Sequence, residues 1–299
     1  LDPKVLGRLM GLPLNARHAM LGSVSGRHRS PIHGSSLEFA EYREYVPGDD
    51  TRRLDWRAWG RSDRYFIKEF EADTNLRMCF IVDASGSMNF GPEGETRLDY
   101  ARRLVGTLGY LAAHQGDAVG LFSSKSEGID AEIPARRGPV HLSVVLDRIA
   151  SLGADGEADM VETIHQAAEK ISQRALIIIV SDLFFPPDDL QEAFQHLRFR
   201  KHDVSLFHLL RDEEVSFDFD RPMRFLDMEG GAPALADPSL IAKNYRSAMQ
   251  KHLAEVGKIC SRTGVDYHRV MMETPYDEAL ARFLLGRNPR NKKSAANVG

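Results

Sequence analysis

From residue 76 onward the chain alternates two hydrophobic rhythms. "LRMCFIVDA", Leu76 to Ala84, is a continuous apolar run, as expected of a strand buried on both faces. "RLDYARRLVGTLGYLAAHQ" then places Leu98, Ala101, Leu104, Val105, Leu108 and Leu111 at helical spacing. "DAVGLFSS" predicts a second strand, and "IDAEIPARRG" a further strand and turn. "PVHLSVVLDRIASL" predicts a helix entered at Pro139, where a missing N–H costs little. "ADMVETIHQAAEKI" predicts the next helix, and "ALIIIVSDLF" is the most strongly β stretch of the chain. "PPDDLQEAFQHLRFR" reads as a helix entered through prolines and acids, and "DVSLFHLL" as another strand. "MRFLDME" predicts an edge strand, and "PSLIAKNYRSAMQKHLAEVGKICSRTG" a long helix closed at Gly264. "VDYHRVMME" and "YDEALARFLLGR" supply a last strand and a terminal helix. Such alternation predicts an α/β fold, a doubly wound, mostly parallel sheet with helices on both faces.

Residues before 76 have another texture. From Glu38 to Asp73, 17 of 36 residues are charged, ten acidic and seven basic. Aromatic residues are interleaved among them, from Phe39 to Phe70. Disordered segments are poor in aromatics, so the stretch predicts packed rings and paired charges. Pro47 and Gly48 in "VPGDD" predict a turn, and "RYFIKEFEAD" a strand leading into a sheet edge. Three regions follow: an N-terminal extension with short strands over 1–75, packed on the sheet; the α/β domain over 76–285; and a disordered tail over 286–299.

Composition narrows the classes. The 299 residues are 42% hydrophobic and 27% charged, with a net charge of −4, so nothing global points to nucleic acid or an anionic membrane. The two cysteines, Cys79 and Cys260, both fall in apolar phase and predict small buried hydrophobes in a reducing, cytoplasmic compartment. The longest purely apolar run, Ala175 to Val180, is far short of a bilayer span. The chain opens on Leu1 with no signal-peptide pattern, which leaves open a segment, or an anchor, before it. There is no G-x-x-x-x-G-K-[ST] loop for ATP, no H-E-x-x-H and no paired C-x-x-C.

The candidate chemistry lies where two apolar runs stop. Asp83 ends the first core strand, and Ser85 and Ser87 follow it around Gly86. Asp182 ends "ALIIIV". In open α/β sheets ligands bind at the carboxyl ends of strands, so neighbouring strands would bring both carboxylates to one crevice. Gly86 would let the loop turn tightly. Two carboxylates and two hydroxyls are hard ligands, suited to Mg²⁺, or to Mn²⁺ or Ca²⁺, rather than zinc. A plainer reading stands beside this one. Asp83 would cap its own turn, and the two serines would cap a helix beginning near Thr96 or satisfy loop amides.

"DASGSM" resembles the D-x-S-x-S metal-ion-dependent adhesion site of von Willebrand factor A domains, and "VSDLF" resembles that site's later aspartate. The resemblance implies metal ligation by Asp83, Ser85, Ser87 and Asp182. The family usually adds a loop threonine; the corresponding "DGEADM" has Ala158 in its place, with Asp155 and Asp159 as possible substitutes. A missing hydroxyl implies weaker metal binding. The stretch from Ser35 to Asp73 resembles the signature of the domain of unknown function 58 family, roughly E-F-x-x-x-R-x-Y-x-x-G-D-D-x-R-x-I-D-W. Glu38, Phe39, Arg43, Tyr45, Gly48, Asp49, Asp50, Arg52, Asp55, Trp56 and Arg61 match, with Leu54 in place of isoleucine. That resemblance implies a bacterial or archaeal von Willebrand factor A-like protein. Its implied role is partner or adaptor of a MoxR-type AAA+ ATPase in chaperone-like maturation of other proteins.

Three functions remain in play. The first is a non-enzymatic, metal-dependent protein-interaction module whose ion takes an acidic side chain from a partner, with Asn89–Thr96 and Leu183–Asp188 as rim. The second is a metal-free scaffold that binds through Asp49, Asp50, Arg52, Arg53 and Arg57; these residues equally suit a brace holding the extension to the sheet. The third is a Mg²⁺-dependent phosphoryl-transfer enzyme with Asp83 as nucleophile. Against the third, no cation follows Asp83 closely, the nearest downstream being Arg97.

Overall fold

A computed structural model describes residues 1–12, 14, 29–30, 37–44, 65–73, 76–126, 128–219, 223–225, 228, 234–236 and 238–287. The chain divides into two compact units, residues 18–75 and the remainder.

The smaller unit holds a three-stranded antiparallel sheet of β1 (Arg29–Ser30), β2 (Leu37–Glu44) and β3 (Phe66–Asp73), in the order β1-β3-β2. A register shift between Phe39 and Glu41 marks a bulge in β2. "RYFIKEFEAD" therefore forms the middle strand of its own sheet rather than leading into a sheet edge. The "VPGDD" turn and residues 49–57 lie outside the described residues, as does the tail from 288 onward.

The larger unit is built on a six-stranded sheet of β4 (Arg77–Val82), β5 (Ala118–Lys125), β6 (Gly128–Arg136), β7 (Leu176–Ser181), β8 (Asp203–Leu210) and β11 (Asp266–Met271), in the order β11-β8-β7-β4-β5-β6. All neighbours are parallel except β5 and β6. This is the doubly wound, mostly parallel architecture that the alternation predicts. The short strands β9 (Met223–Phe225) and β10 (Ala234–Ala236) pair with each other as a separate antiparallel ribbon. "MRFLDME" therefore adds no edge to the main sheet, whose margins are β11 and β6.

Helices cover both faces. On one side lie α1 (Pro3–Leu9), α2 (Arg97–His114), α3 (Pro139–Ser151) and α8 (Tyr276–Gly286). On the other lie α4 (Met160–Lys170), α5 (Asp188–Phe199) and the 26-residue α7 (Pro238–Thr263), which ends at Gly264 with φ +69°. A short α6 (Asp212–Ser216) follows β8. The helix starts are chemically marked. Thr96 and Asp99 form a reciprocal capping box at α2, and the Asp159 carboxylate accepts from Glu162 N at α4. Along β4, Cys79 and Ile81 join the core under α4 and α5. Both cysteines are free and buried, and burial pushes their thiols up to about 12. Among the described residues no helix is long and apolar enough to cross a membrane.

This topology fixes where a ligand can sit. The chain runs outward from β4 to β5 and β6, then returns to β7 on the other side of β4. The connections on either side of that point swing to opposite faces, which leaves a crevice at the carboxyl ends of β4 and β7.

Candidate metal centre

β4 and β7 pair in register, Val82 opposite Val180, and Asp83 N donates to Val180 O at 2.9 Å. Asp83 follows Val82 directly, and Asp182 lies two residues past Val180. The structure thus brings together the two carboxylates that the sequence places at strand ends. Both are buried.

Asp83 is held by hydroxyls that the sequence reading passed over. Its Oδ1 accepts from Ser85 N at 3.0 Å and from Ser124 Oγ at 3.2 Å. Its Oδ2 accepts from Ser181 Oγ at 2.6 Å. Ser124 Oγ in turn accepts Ala84 N, and Ser181 Oγ accepts Leu183 N, so backbone amides turn both hydroxyl protons toward Asp83. An ionised carboxylate offers about four lone-pair positions, and these three bonds leave one on Oδ2. The signal was present in the sequence: β7 ends in Ser181, and β5 carries Ser124 one residue before its end.

Ser85 and Ser87 sit on the loop after β4, with their hydroxyl oxygens 2.9 Å apart. That spacing fits adjacent corners of an octahedron with metal–oxygen bonds of about 2.0–2.1 Å, whose edge is about 2.9 Å. The Ser87 hydroxyl also hydrogen-bonds Asp182. Neither serine caps a helix near Thr96, because Thr96 and Asp99 perform that task themselves.

Gly86 earns its place differently from expectation. It has no positive φ; instead a Cβ there would stand 2.1 Å from the Met228 carbonyl oxygen and 3.3 Å from Gly156 O. Close approach of backbone, rather than a tight turn, requires glycine here. The loop before α4 is tied alongside, with Gly86 N donating to Gly156 O at 2.8 Å and Asp155 N to Ala84 O at 3.2 Å. Ala158 brings no hydroxyl. Asp155 is exposed, and Asp159 is occupied as the cap of α4.

The structure adds one residue of consequence. Arg97, at the start of α2, folds back under the site. Its Nη1 donates to Asp182 Oδ2 at 2.8 Å and to Ser87 O at 2.7 Å, and its Nη2 pairs with Glu214. The side chains of Arg97 and Asp182 are 1% and 2% exposed. The Phe90 and Phe184 rings lie on the guanidinium, each centroid 5.0 Å from Cζ. These rings come from the two loops expected to form the rim, and they are 37% and 41% exposed. Fourteen residues separate Asp83 from Arg97 in sequence, yet the guanidinium touches the site. Arg97 is thus a cation near Asp83 in space, although the sequence spacing sets it apart. Nη1, however, is committed to internal partners, and Nη2 lies against Glu214.

Electrostatics follow from this packing. Burial, with the Asp83 charge adding to it, raises the Asp182 carboxyl to about 6 against the pull of Arg97. Burial also lowers Arg97 from its ordinary value. His208 on β8 braces Asp182 from behind, with Nε2 2.8 Å from Asp182 O and Nδ1 2.8 Å from the Tyr267 hydroxyl. A carbonyl only accepts, so Nε2 carries the proton and Nδ1 accepts from Tyr267. Burial lowers this imidazole to about 3 and keeps it neutral.

The donor set fits a hard divalent ion at Asp83, Ser85 and Ser87, with Asp182 behind Ser87. Among the described residues no group of three or more His, Cys, Asp or Glu side chains could hold a metal, so the hydroxyls are essential to this reading.

The model of a family described as "Protein of unknown function DUF58" matches residues 41–256. The uncharacterized protein Rv1480 of Mycobacterium tuberculosis is 25% identical over 96% of this chain and 90% of its own length. The uncharacterized protein Mb1516 of Mycobacterium bovis matches to the same extent. Among solved structures, BatB from Bacteroides thetaiotaomicron aligns with a TM-score of 0.46 at 18% identity, over 71% of this chain and 98% of that one. The VWA domain of SpRpn10 aligns with a TM-score of 0.42 at 12% identity, over 72% and 96%.

Proposed function

The chain belongs to the DUF58 family, and we propose that it is a protein-interaction module whose contact point is a divalent cation at the carboxyl end of the sheet. Asp83, Ser85 and Ser87 would hold the ion directly, and Asp182 would orient Ser87. Mg²⁺ suits the all-oxygen donors best, with Mn²⁺ or Ca²⁺ as alternatives. When bound, the ion would offer an open position to the carboxylate of an acidic side chain on a partner protein. The protein's own part is to hold the donors before the partner arrives: Ser124 and Ser181 aim Asp83, and His208 holds the Asp182 backbone. One carboxylate–metal contact is small, so the rim must add affinity, and the exposed faces of Phe90 and Phe184 supply apolar area for it. No step of bond making or breaking is assigned to the protein.

The observation that carries this reading is the meeting of Asp83 and Asp182 at adjacent strand ends with two serine hydroxyls 2.9 Å apart in front of them. The resemblance noted above points to a MoxR-type AAA+ ATPase as the partner. The test is capture of such an ATPase by the native chain in Mg²⁺, in EDTA, and by Asp83→Ala. Capture lost in EDTA and in the variant supports the reading; capture unchanged in both contradicts it.

A second reading is favoured by Ala158 and by the cation already present in Arg97. It is the metal-free scaffold acting through Asp49, Asp50, Arg52, Arg53 and Arg57. Substituting those five residues in the same capture assay separates it from the first.

A further inference from the structure

We propose that Arg97 is a built-in counter-cation of this site, and that its positive charge, paired with Asp182, works against the binding of a divalent ion at the neighbouring Asp83. The competition rests on the metal reading above; the counter-cation role stands on the geometry alone.

Two carboxylates, Asp83 and Asp182, lie buried at the ends of adjacent strands. Buried like charges this close are unfavourable without a compensating cation. Arg97 supplies it. A single nitrogen, Nη1, donates both to Asp182 Oδ2 and to the backbone oxygen of Ser87. The guanidinium therefore ties the Ser87 loop to the β7 end, the same two elements that an ion at Ser87 would draw together. Its Nη2 also lies against Glu214, and its faces are covered by Phe90 and Phe184. The guanidinium thus closes the loop and offsets part of the negative charge that Asp83, Asp182 and Glu214 place there.

Two consequences follow. The metal-free protein keeps its site ordered, because the arginine does the ordering. An arriving ion then meets a carboxylate pair whose charge is already partly neutralised, so its affinity is lower than the donor set alone would give. Loss of the threonine hydroxyl at Ala158 acts in the same direction.

The experiment has two arms, both at pH 7.5 on the full chain. In EDTA, thermal melts compare native, Arg97→Gln, Asp182→Asn and the double variant. The expected result is a Tm loss for Arg97→Gln that Asp182→Asn largely restores in the double variant. Simple additivity of the two losses would overturn the counter-cation role. In the second arm, calorimetric titration with Mn²⁺ compares native with Arg97→Gln. At least tenfold tighter binding in the variant is expected, with a larger Mg²⁺-induced rise in Tm. Equal or weaker binding overturns the competition. Should Arg97→Gln fold poorly because Glu214 is stranded, Arg97→Gln/Glu214→Gln replaces it in both arms. If neither native nor variant binds Mn²⁺, the metal reading and the competition fall together, while the EDTA arm still decides the counter-cation role.

Discussion

The main sheet carries a buried arginine–carboxylate group at each end, and the two are built for different ends. At the amino end, Arg287 from the close of α8 reaches Asp203 at the start of β8, Asp266 at the start of β11 at 3.4 Å, and Ser205 Oγ at 2.9 Å. At the carboxyl end, Arg97 reaches Asp182, Ser87 O and Glu214. Both arginine side chains are 1% exposed. The difference lies in their surroundings. Arg287 joins the starts of two strands to the end of a helix and has the Phe283 ring 5.4 Å from its Cζ. Arg97 is bonded to a loop of hydroxyls and lies under two half-open aromatic rings. A buried ion pair is therefore not evidence of a site by itself. What marks a site is the ligand edge of the sheet together with donors that have lone pairs to spare.

The comparison breaks most visibly at Arg287. Replacing it by Met leaves Asp203 and Asp266 without this cation and should cost about 3–5 kcal/mol in chemical denaturation. Mn²⁺ affinity in the folded fraction should be unchanged; an altered affinity would mean that the two ends are coupled.

A smaller effect is expected from acid. His202, at the amino end of β8, is lowered to about 4, chiefly by burial with Arg200 and Arg174 assisting; His208, toward the carboxyl end, is lowered to about 3. The unfolded chain takes up these protons near 6.5 while the native state refuses them. Stability from the neutral imidazoles is thus complete above about pH 6.5 and is lost as pH falls toward 4 and 3. Each histidine should contribute about 2 kcal/mol of loss between pH 7 and pH 5. His202→Gln and His208→Gln should each flatten that slope, and only His208→Gln should also weaken the ion site. Denaturation midpoints at the two pH values decide; a flat native profile would contradict the assignment.

Gly86→Ala should cost about 1–3 kcal/mol, because backbone at Met228 must move to admit a methyl group. It should also lower Mn²⁺ affinity by displacing the Ser85–Ser87 loop. Wild-type stability with wild-type affinity would show that the close approach is not rigid.

Much of this molecule was legible in its pattern. The continuous apolar run at β4 announced a strand covered on both faces, and the abrupt stops at Asp83 and Asp182 announced the ligand edge. What pattern does not carry is where a long side chain returns. Arg97 looked remote because sequence distance was read as spatial distance, whereas the loop ending at Thr96 doubles back and the guanidinium spans the rest. The hydroxyls of Ser124 and Ser181 sat in plain view as ordinary strand ends until neighbouring strands set them beside Asp83. Gly86 was read for conformational freedom, although its reason is a contact with residue 228, far along the chain. "MRFLDME" has a strand's composition, but composition does not name the partner, and β10 took it.

The central claim is that Asp83 anchors a divalent-ion site, and Mg²⁺ and Mn²⁺ titration by calorimetry of the native chain and Asp83→Ala tests it most directly. The account predicts single-site binding to the native chain and none to a folded Asp83→Ala. Equal binding by both, or no binding by the native chain and by Arg97→Gln alike, would contradict it.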